Sequence, residues 1–364
     1  MTNNKDKKVL NVPNLRFPEF TNEWGNITIK EACSEFQSGK NIKAEMITGQ
    51  GLYPVYGGNG LRGFTESYNH DGDYILIGRQ GALCGNIRKV TGKTYVTEHA
   101  IAVCASKENE TTFLQYLFQK MKLGQYSDQS AQPGLAVNKL LRLNINVPSK
   151  IEQAKIAKIL SLIDERIITQ NKIIEDLKKL KSAIYQELFS NQQGEEYSLS
   201  ELVEIIKGQQ INGNELSENG KYYVMNGGIM PSGYYDDYNT EAGTISISEG
   251  GNSCGYVQYN SSKFWSGGHC YTLHIKPAAP ISTLFLFHFL KWKETDIMTL
   301  RIGSGLPNIQ KKDLSKVSII VPTLDKQQRI MTLLSTFQMK IEHEDMYAIN
   351  LNKQKQYLLS QIFI

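Results

Sequence analysis

Two stretches of the chain set side chains with chemical potential on one glycine frame. Residues 75–87 read ILIGRQGALCGNI and residues 245–257 read ISISEGGNSCGYV. Ile75, Ile77, Gly81, Cys84 and Gly85 therefore recur, at one constant offset, as Ile245, Ile247, Gly251, Cys254 and Gly255. His99 and His269 follow at the same spacing. A thiol with an imidazole could form a nucleophilic pair or hold a metal, so those chemistries come first. The sequence has no HExxH, no CxxC and no carboxylate at repeated ligand spacing beside the histidines, and no GxSxG elbow. Cys84 and Cys254 lie between glycines and small residues, where a small apolar filler is the expected role. GKT at 92–94 lacks the leading glycine of a phosphate loop, because position 87 is Ile, and reads as a hairpin turn. An Asn-Pro-Pro-aromatic tetrapeptide, as used by amino-methyltransferases, is also missing. Neither catalysis nor a metal site is expected of this chain.

The elements that carry these residues are themselves doubled. Gly57-Gly58, Tyr68-Asn69 and His99 pair with Gly227-Gly228, Tyr238-Asn239 and His269, all at that same offset. Upstream the offset slips by one, pairing Gly39 with Gly208. Downstream it lengthens slightly, pairing Gly134-Leu135 with Gly305-Leu306, and lengthens again at Val147-Pro148 and Val321-Pro322. Each copy opens with a Gly-, Tyr- and Asn-rich part whose short apolar runs, such as 74–77 and 244–248, predict strands joined by turns. A helix is expected over 112–121. Each copy closes with a segment at helical spacing. Sevens from Ile156 fall on Ile163, Gln170, Leu177 and Ile184, and sevens from Ile330 on Phe337, Glu344, Leu351 and Leu358. A helix of about 40 residues is about 60 Å long, which suits a spacer. The expected fold is α+β, with two similar β-rich domains on two long helices that form an antiparallel coiled coil. The alternative is two separate surface helices. The expected boundaries are 1–149, 150–192, 193–322 and 323–364.

Composition constrains the setting. With 364 residues the chain exceeds one comfortable core. Lys+Arg 40 against Asp+Glu 36 permits a nucleic-acid partner without demanding one. The five cysteines are odd in number, and the start MTNNKDKKVL lacks an apolar leader, so a cytoplasmic location is expected. The most apolar run, ISTLFLFHFL at 281–290, is half the length of a membrane helix and reads as buried.

The order of these segments, with LRFPEFTNEW at 15–24, NVPSKIEQAKIAKIL at 146–160 and IVPTLDKQQRIMTLL at 320–334, resembles the specificity subunit of a type I restriction-modification system. The resemblance covers nearly the whole chain. It rests on an arrangement in which a recognition domain, a proline and then an acidic residue with glutamine precede a long helix, twice over. The second copy departs from the first, with TLDKQQ where the first has SKIEQA, which leaves its docking surface open.

The resemblance implies a non-catalytic subunit in which each β-rich domain reads half of a split double-stranded DNA site. It implies helices that set the spacer and dock two methyltransferase subunits, with restriction subunits for cleavage. S-adenosylmethionine and ATP-Mg would belong to those partners, leaving no cofactor in this chain. On that reading Arg79, Gln80, Ser248, Glu249 and Asn252 stand at divergent tips, where arginine suits guanine, glutamine or asparagine adenine, and glutamate cytosine. Asn59, Arg62, His99, Asn226 and His269 are further candidate DNA contacts, or turn residues. So are Asn138, Lys139, Arg142, Asn308, Gln310, Lys311 and Lys312, with the lysines suited to phosphate. The glycines themselves either let backbone approach a partner or merely shape a hairpin. Rival readings are a protein- or glycan-binding scaffold and a lone DNA-binding regulator.

Overall fold

The computed structural model describes residues 11–128, 134–303 and 305–364. Two compact units emerge: one runs through Asn171 and takes back Met346–Ile364, the other is Lys172–Asp345. Each is built to the same plan.

In the first unit a four-stranded antiparallel sheet has the order Cys33–Ser38, Ala100–Ala105, Asp73–Gly78, Ile87–Thr91. The 74–77 run lies within the third of these strands, and its alternation explains the layering. Ile75 and Ile77 point with Ile101 and Val103 into a core shared with Phe113, Leu117 and Phe118 of the helix Thr111–Met121. Leu76 and Ala102 point the other way, onto Val90 and Val96 and against Tyr56. A three-stranded sheet ordered Gly60–Thr65, Tyr53–Gly57, Tyr95–Val96 covers that second face. Gly92, at φ +82°, makes the turn that GKT predicts.

The second unit repeats the arrangement with Val203–Lys207, Cys270–Ile275, Thr244–Ser248 and Val257–Asn260. Ile245, Ile247 and Leu273 face the helical core, and the apolar run at 281–290 becomes part of the buried helix Thr283–Trp292. Side-chain detail is copied as well. Asn69 clamps Val96 through its backbone N–H and carbonyl (2.8 Å each), as Asn239 clamps Ser266 at 2.7 and 3.0 Å. The rings of Tyr53 and Tyr68 lie 5.0 Å apart, as do those of Tyr222 and Tyr238.

The segments at helical spacing form the first long helix, Lys150–Ser190, and the second, Leu324–Ile362. In the first unit Ile156, Ala157 and Leu160, near the start of the first helix, share a core with Leu359, Ile362 and Phe363, near the end of the second. In the second unit Tyr185 and Phe189, near the end of the first helix, share a core with Ile330, Met331 and Leu334, near the start of the second. Start meets end in both places, so the helices are antiparallel partners and not two isolated surface helices. Every seventh position of both stripes is buried or half-buried, Gln170 included. Among the described residues no helix is long and apolar enough to cross a membrane.

The glutamine that follows each proline has a definite task. The Gln153 amide donates to the Pro148 carbonyl and to Asn109 Oδ1 (2.9 Å each), and its Oε1 accepts from the Glu110 N–H at 2.9 Å. The Gln327 amide donates to the carbonyls of Pro322 and Pro280 (2.9 and 2.8 Å), and its Oε1 accepts from the Ser282 N–H at 2.9 Å. Each glutamine is about 1% exposed and ties the start of a long helix to the segment that begins the sheet-covering helix of its own unit.

Candidate functional site

The glycine frame makes the same turn twice. Gly81, Gly85, Gly251 and Gly255 all have φ between +77° and +93°, where a side chain is strained. A Cβ on Gly85 would also lie 2.2 Å from the Gly124 backbone. Cys84 closes the first turn by donating its thiol to the Arg79 carbonyl (3.3 Å), and Cys254 closes the second on the Glu249 carbonyl (2.9 Å). Burial raises both thiol pKa values, which favours neutral hydrogen-bond donors over thiolates. All five cysteines are free. Among the described residues no group of His, Cys, Asp and Glu could hold a metal.

The frame presents opposite charges from one backbone position. The Arg79 N–H donates to the His99 carbonyl (2.9 Å), and the Glu249 N–H donates to that of His269 (2.9 Å). The Arg79 carbonyl accepts from Leu135 N–H (2.9 Å), and the Glu249 carbonyl from Ile309 N–H (2.8 Å). Those bonds correct the sequence pairing of this loop: Leu135 corresponds to Ile309 and not to Leu306. The bridges Gln80–Gly134 and Gly250–Asn308 agree with this. The repeated Gly-Leu dipeptide misleads because the second copy takes a longer path before it rejoins the turn.

A cleft opens beside each turn. In the first unit Gly57, Gly58, Asn59, Arg62, Gln80, Gly81 and His99 line about 400 Å³. Gln80 Oε1 lies 3.0 Å from His99 Nδ1, and Glu98 Oε1 lies 3.2 Å from the other ring nitrogen. Arg79 directs one guanidinium nitrogen at the Glu98 carbonyl, 3.5 Å away. In the second unit about 470 Å³ is lined by residues that include Asn226, Gly227, Gly228, Glu249, Gly251, His269 and Asn308. Glu249 is nearly buried. Its Oε1 accepts from Lys207 Nζ at 2.6 Å and from the Tyr271 hydroxyl at 3.1 Å. Burial first, and Glu249 second, push the Tyr271 pKa up to about 12.

The structure thus brings Asn59, Arg62, Gln80 and His99 together in one cleft, and Asn226, Glu249, His269 and Asn308 together in the other. Ser248 is internal, its hydroxyl donating to the Gly227 carbonyl at 2.7 Å. Asn226 Oδ1 accepts from the His269 N–H at 3.0 Å and braces the loop. Asn252 is exposed at the tip. Asn138 and Lys139 lie on the short helix Val137–Leu141, with Arg142 just past its end, and none of the three lines the first cleft. Gln310, Lys311 and Lys312 occupy the equivalent short helix and its cap, outside the second cleft. Sequence reasoning missed Lys207 and Tyr271. Lys207 ends a strand whose first-copy counterpart carries Ser38, so repetition could not point to it.

Comparison with known proteins places this doubled frame. The family description "Type I restriction modification DNA specificity domain" matches residues 21–179 and again residues 191–351. The "Type I restriction enzyme EcoprrI specificity subunit" of Escherichia coli is 40% identical over 173 residues, which cover 46% of this chain and 42% of that protein. The chain therefore spans less than half the length of that curated relative. The crystal structure of a type I restriction-modification S subunit from M. genitalium superposes with a TM-score of 0.69 at 22% identity, covering 97% of this chain and 99% of that one. A second solved structure, titled for complex assembly and conformational transition of the type I R-M system, gives a TM-score of 0.61 at 16% identity over 93% of this chain and 97% of that one.

Proposed function

The chain belongs to the type I restriction-modification DNA specificity family, with that domain present twice, and from this premise we propose that it reads an asymmetric, two-part site in double-stranded DNA. Each cleft meets one half-site. The paired long helices set the unread spacer and dock two methyltransferase subunits, and restriction subunits join them for cleavage. This chain works without a cofactor of its own, while S-adenosylmethionine and ATP-Mg serve the partner subunits.

One observation carries the reading: a single backbone position, held by the same two hydrogen bonds in both units, presents Arg79 in one copy and Glu249 in the other. A duplicated reader with identical tips would select a palindrome, matching its own pseudosymmetry. Opposite charges at the tip require different base edges, because arginine only donates and glutamate only accepts.

Selection from random duplexes by the full chain with its methyltransferase tests the proposal. Two unlike blocks at a fixed separation are expected, and Arg79→Ala should blur one block by roughly 1 to 3 kcal/mol of discrimination while sparing the other. A palindromic motif, or no enriched motif, would overturn it.

A further inference from the structure

The far end of the first glycine turn carries positive charge that the cleft beside it does not use. Gln80 and Gly81 line that cleft, whereas Gly85 and Asn86, at the other end of the same turn, line a separate opening of about 560 Å³ with Lys120, Lys122 and Lys355. Among the described residues no carboxylate lines it. Lys355 already pairs with Asp164 at 2.6 Å, but Lys120 and Lys122 are exposed.

Lys122 stands there in a strained conformation. With φ +49° it is, among the described residues, the one non-glycine in the left-handed region, where glycine is the unstrained choice. The chain reverses at this point to lay Gly124 on the turn, so closely that a Cβ on Gly85 would lie 2.2 Å from the Gly124 backbone. A glycine at 122 would make that reversal freely, so the strain is retained for the sake of the lysine side chain.

The dimensions match a duplex. Gly81 and Gly85 are four residues apart, which is at most about 14 Å. The major groove is about 12 Å wide and is bordered on both sides by phosphate strands. A base edge met by Gln80 therefore has such a strand within reach of the second opening, and a lysine suits a phosphate as a compact point charge on a flexible stem. The second unit lacks this pair. Trp292 and Glu294 occupy the positions that match Lys120 and Lys122. Glu294 Oε2 accepts from the Val257 N–H (2.8 Å) and from Lys291 (2.5 Å), so the cation nearby is already engaged. Resting on the DNA-reading function above, we infer that Lys120 and Lys122 clamp the phosphate strand bordering the first half-site, a sequence-independent grip absent from the matching place in the second unit.

The test uses the full chain with its methyltransferase and a duplex carrying the motif selected by the wild type. Lys120→Gln and Lys122→Gly should each lower the salt slope of binding by about 1, so that a fourfold rise in salt costs the variant roughly 3.5-fold less affinity than it costs the wild type. Base preference in both blocks should be unchanged. Lys122→Gly relieves the left-handed strain, so its thermal melting temperature should not fall, and a role confined to shaping the turn would leave its salt slope at the wild-type value. Neutral methylphosphonate linkages placed one at a time should weaken wild-type binding at a phosphate beside the first block, and Lys122→Gly should be indifferent to that linkage. An unchanged slope in Lys122→Gly, a Lys122-dependent linkage beside the second block, or an altered base preference would each overturn this inference while leaving the split-site reading intact. If the wild type enriches no DNA at all, the split-site reading falls and takes this inference with it.

Discussion

The two units grip the long helices at equivalent points with different electrostatics. In the first unit the Tyr116 hydroxyl donates to Asp164 Oδ2 (2.8 Å), and Lys355 pairs with Asp164 Oδ1 at 2.6 Å. In the second unit His288 occupies the position that matches Tyr116, and Gln338 the one that matches Asp164. Lys181 stands in for Lys355 there and donates to Gln338 Oε1 at 2.6 Å, while the Tyr185 hydroxyl shares a 2.6 Å hydrogen bond with His288 Nδ1. Even the aromatic plug is shared: Phe363 lies 5.3 Å from Phe113, and Phe189 lies 5.8 Å from Phe285. Duplication preserved the shape of the joint and released its charges. Apolar packing fixes where the helices sit, because volume mismatch is penalised wherever it occurs, whereas a polar pair can change as long as its members change together.

The largest expected asymmetry is at the base of the long helices. Glu152 is 1% exposed and takes both oxygens to Arg16 at 2.8 Å, with the Trp24 indole donating at 3.3 Å. The pair raises the Arg16 pKa through that hydrogen bond. The counterpart in the second copy, Lys326, is exposed. Glu152→Gln should therefore cost roughly 2 to 3 kcal/mol in urea denaturation, because it takes the charged partner from the half-buried Arg16 at a buried position. Lys326→Gln should stay within about 0.5 kcal/mol. Equal effects would erase the distinction between the two helix bases.

Next is a pH dependence confined to the second unit. Burial, with Lys181 second, lowers the His288 pKa from 6.5 to about 4. The unfolded chain binds this proton below about 6.5 and the folded chain does not until about 4, so the stability is complete above that window and is lost as pH falls through it. The loss should reach roughly 2 to 3 kcal/mol by about pH 4. Tyr116, the first unit's counterpart, does not titrate in this range, since burial raises its pKa. Denaturation followed by Trp292 fluorescence at pH 7, 5 and 4 should show a steep slope that His288→Phe flattens. An identical slope in the variant would remove His288 as the source.

The smallest effect sharpens the likeness. A capping box opens the first short helix of each unit: the Thr28 N–H donates to Glu31 Oε2 at 2.7 Å, and the Ser198 N–H to Glu201 Oε2 at 2.6 Å. Thr28→Ala and Ser198→Ala should each cost about 1 kcal/mol, equal within a few tenths. Unequal values in paired denaturation curves would show that the copies have diverged even in local capping.

How far the letters could be read depended on the range of the force involved. The four turn glycines were legible because a left-handed backbone is a demand of a few adjacent residues. The stripes from Ile156 and Ile330 were legible because helical periodicity repeats locally. Gln153 and Gln327 were visible as motif letters, but their clamps needed Asn109 and Pro280, which lie far back along the chain. The pairing of Leu135 with Leu306 failed because a dipeptide match carries no information about which N–H reaches the Arg79 or Glu249 carbonyl.

The amino-acid order by itself determined that the chain is doubled, that each copy passes from a strand-and-turn part to a long helix, and that Arg79 and Glu249 stand at matching tips. Only the tertiary structure decided that Lys207 and Tyr271 hold one oxygen of Glu249, and that the end of each long helix completes a core begun by the start of the other. Local propensity and periodicity are written into neighbouring residues. A hydrogen bond between positions as distant in the chain as Lys207 and Glu249 exists only after the intervening segment has folded and brought its ends together.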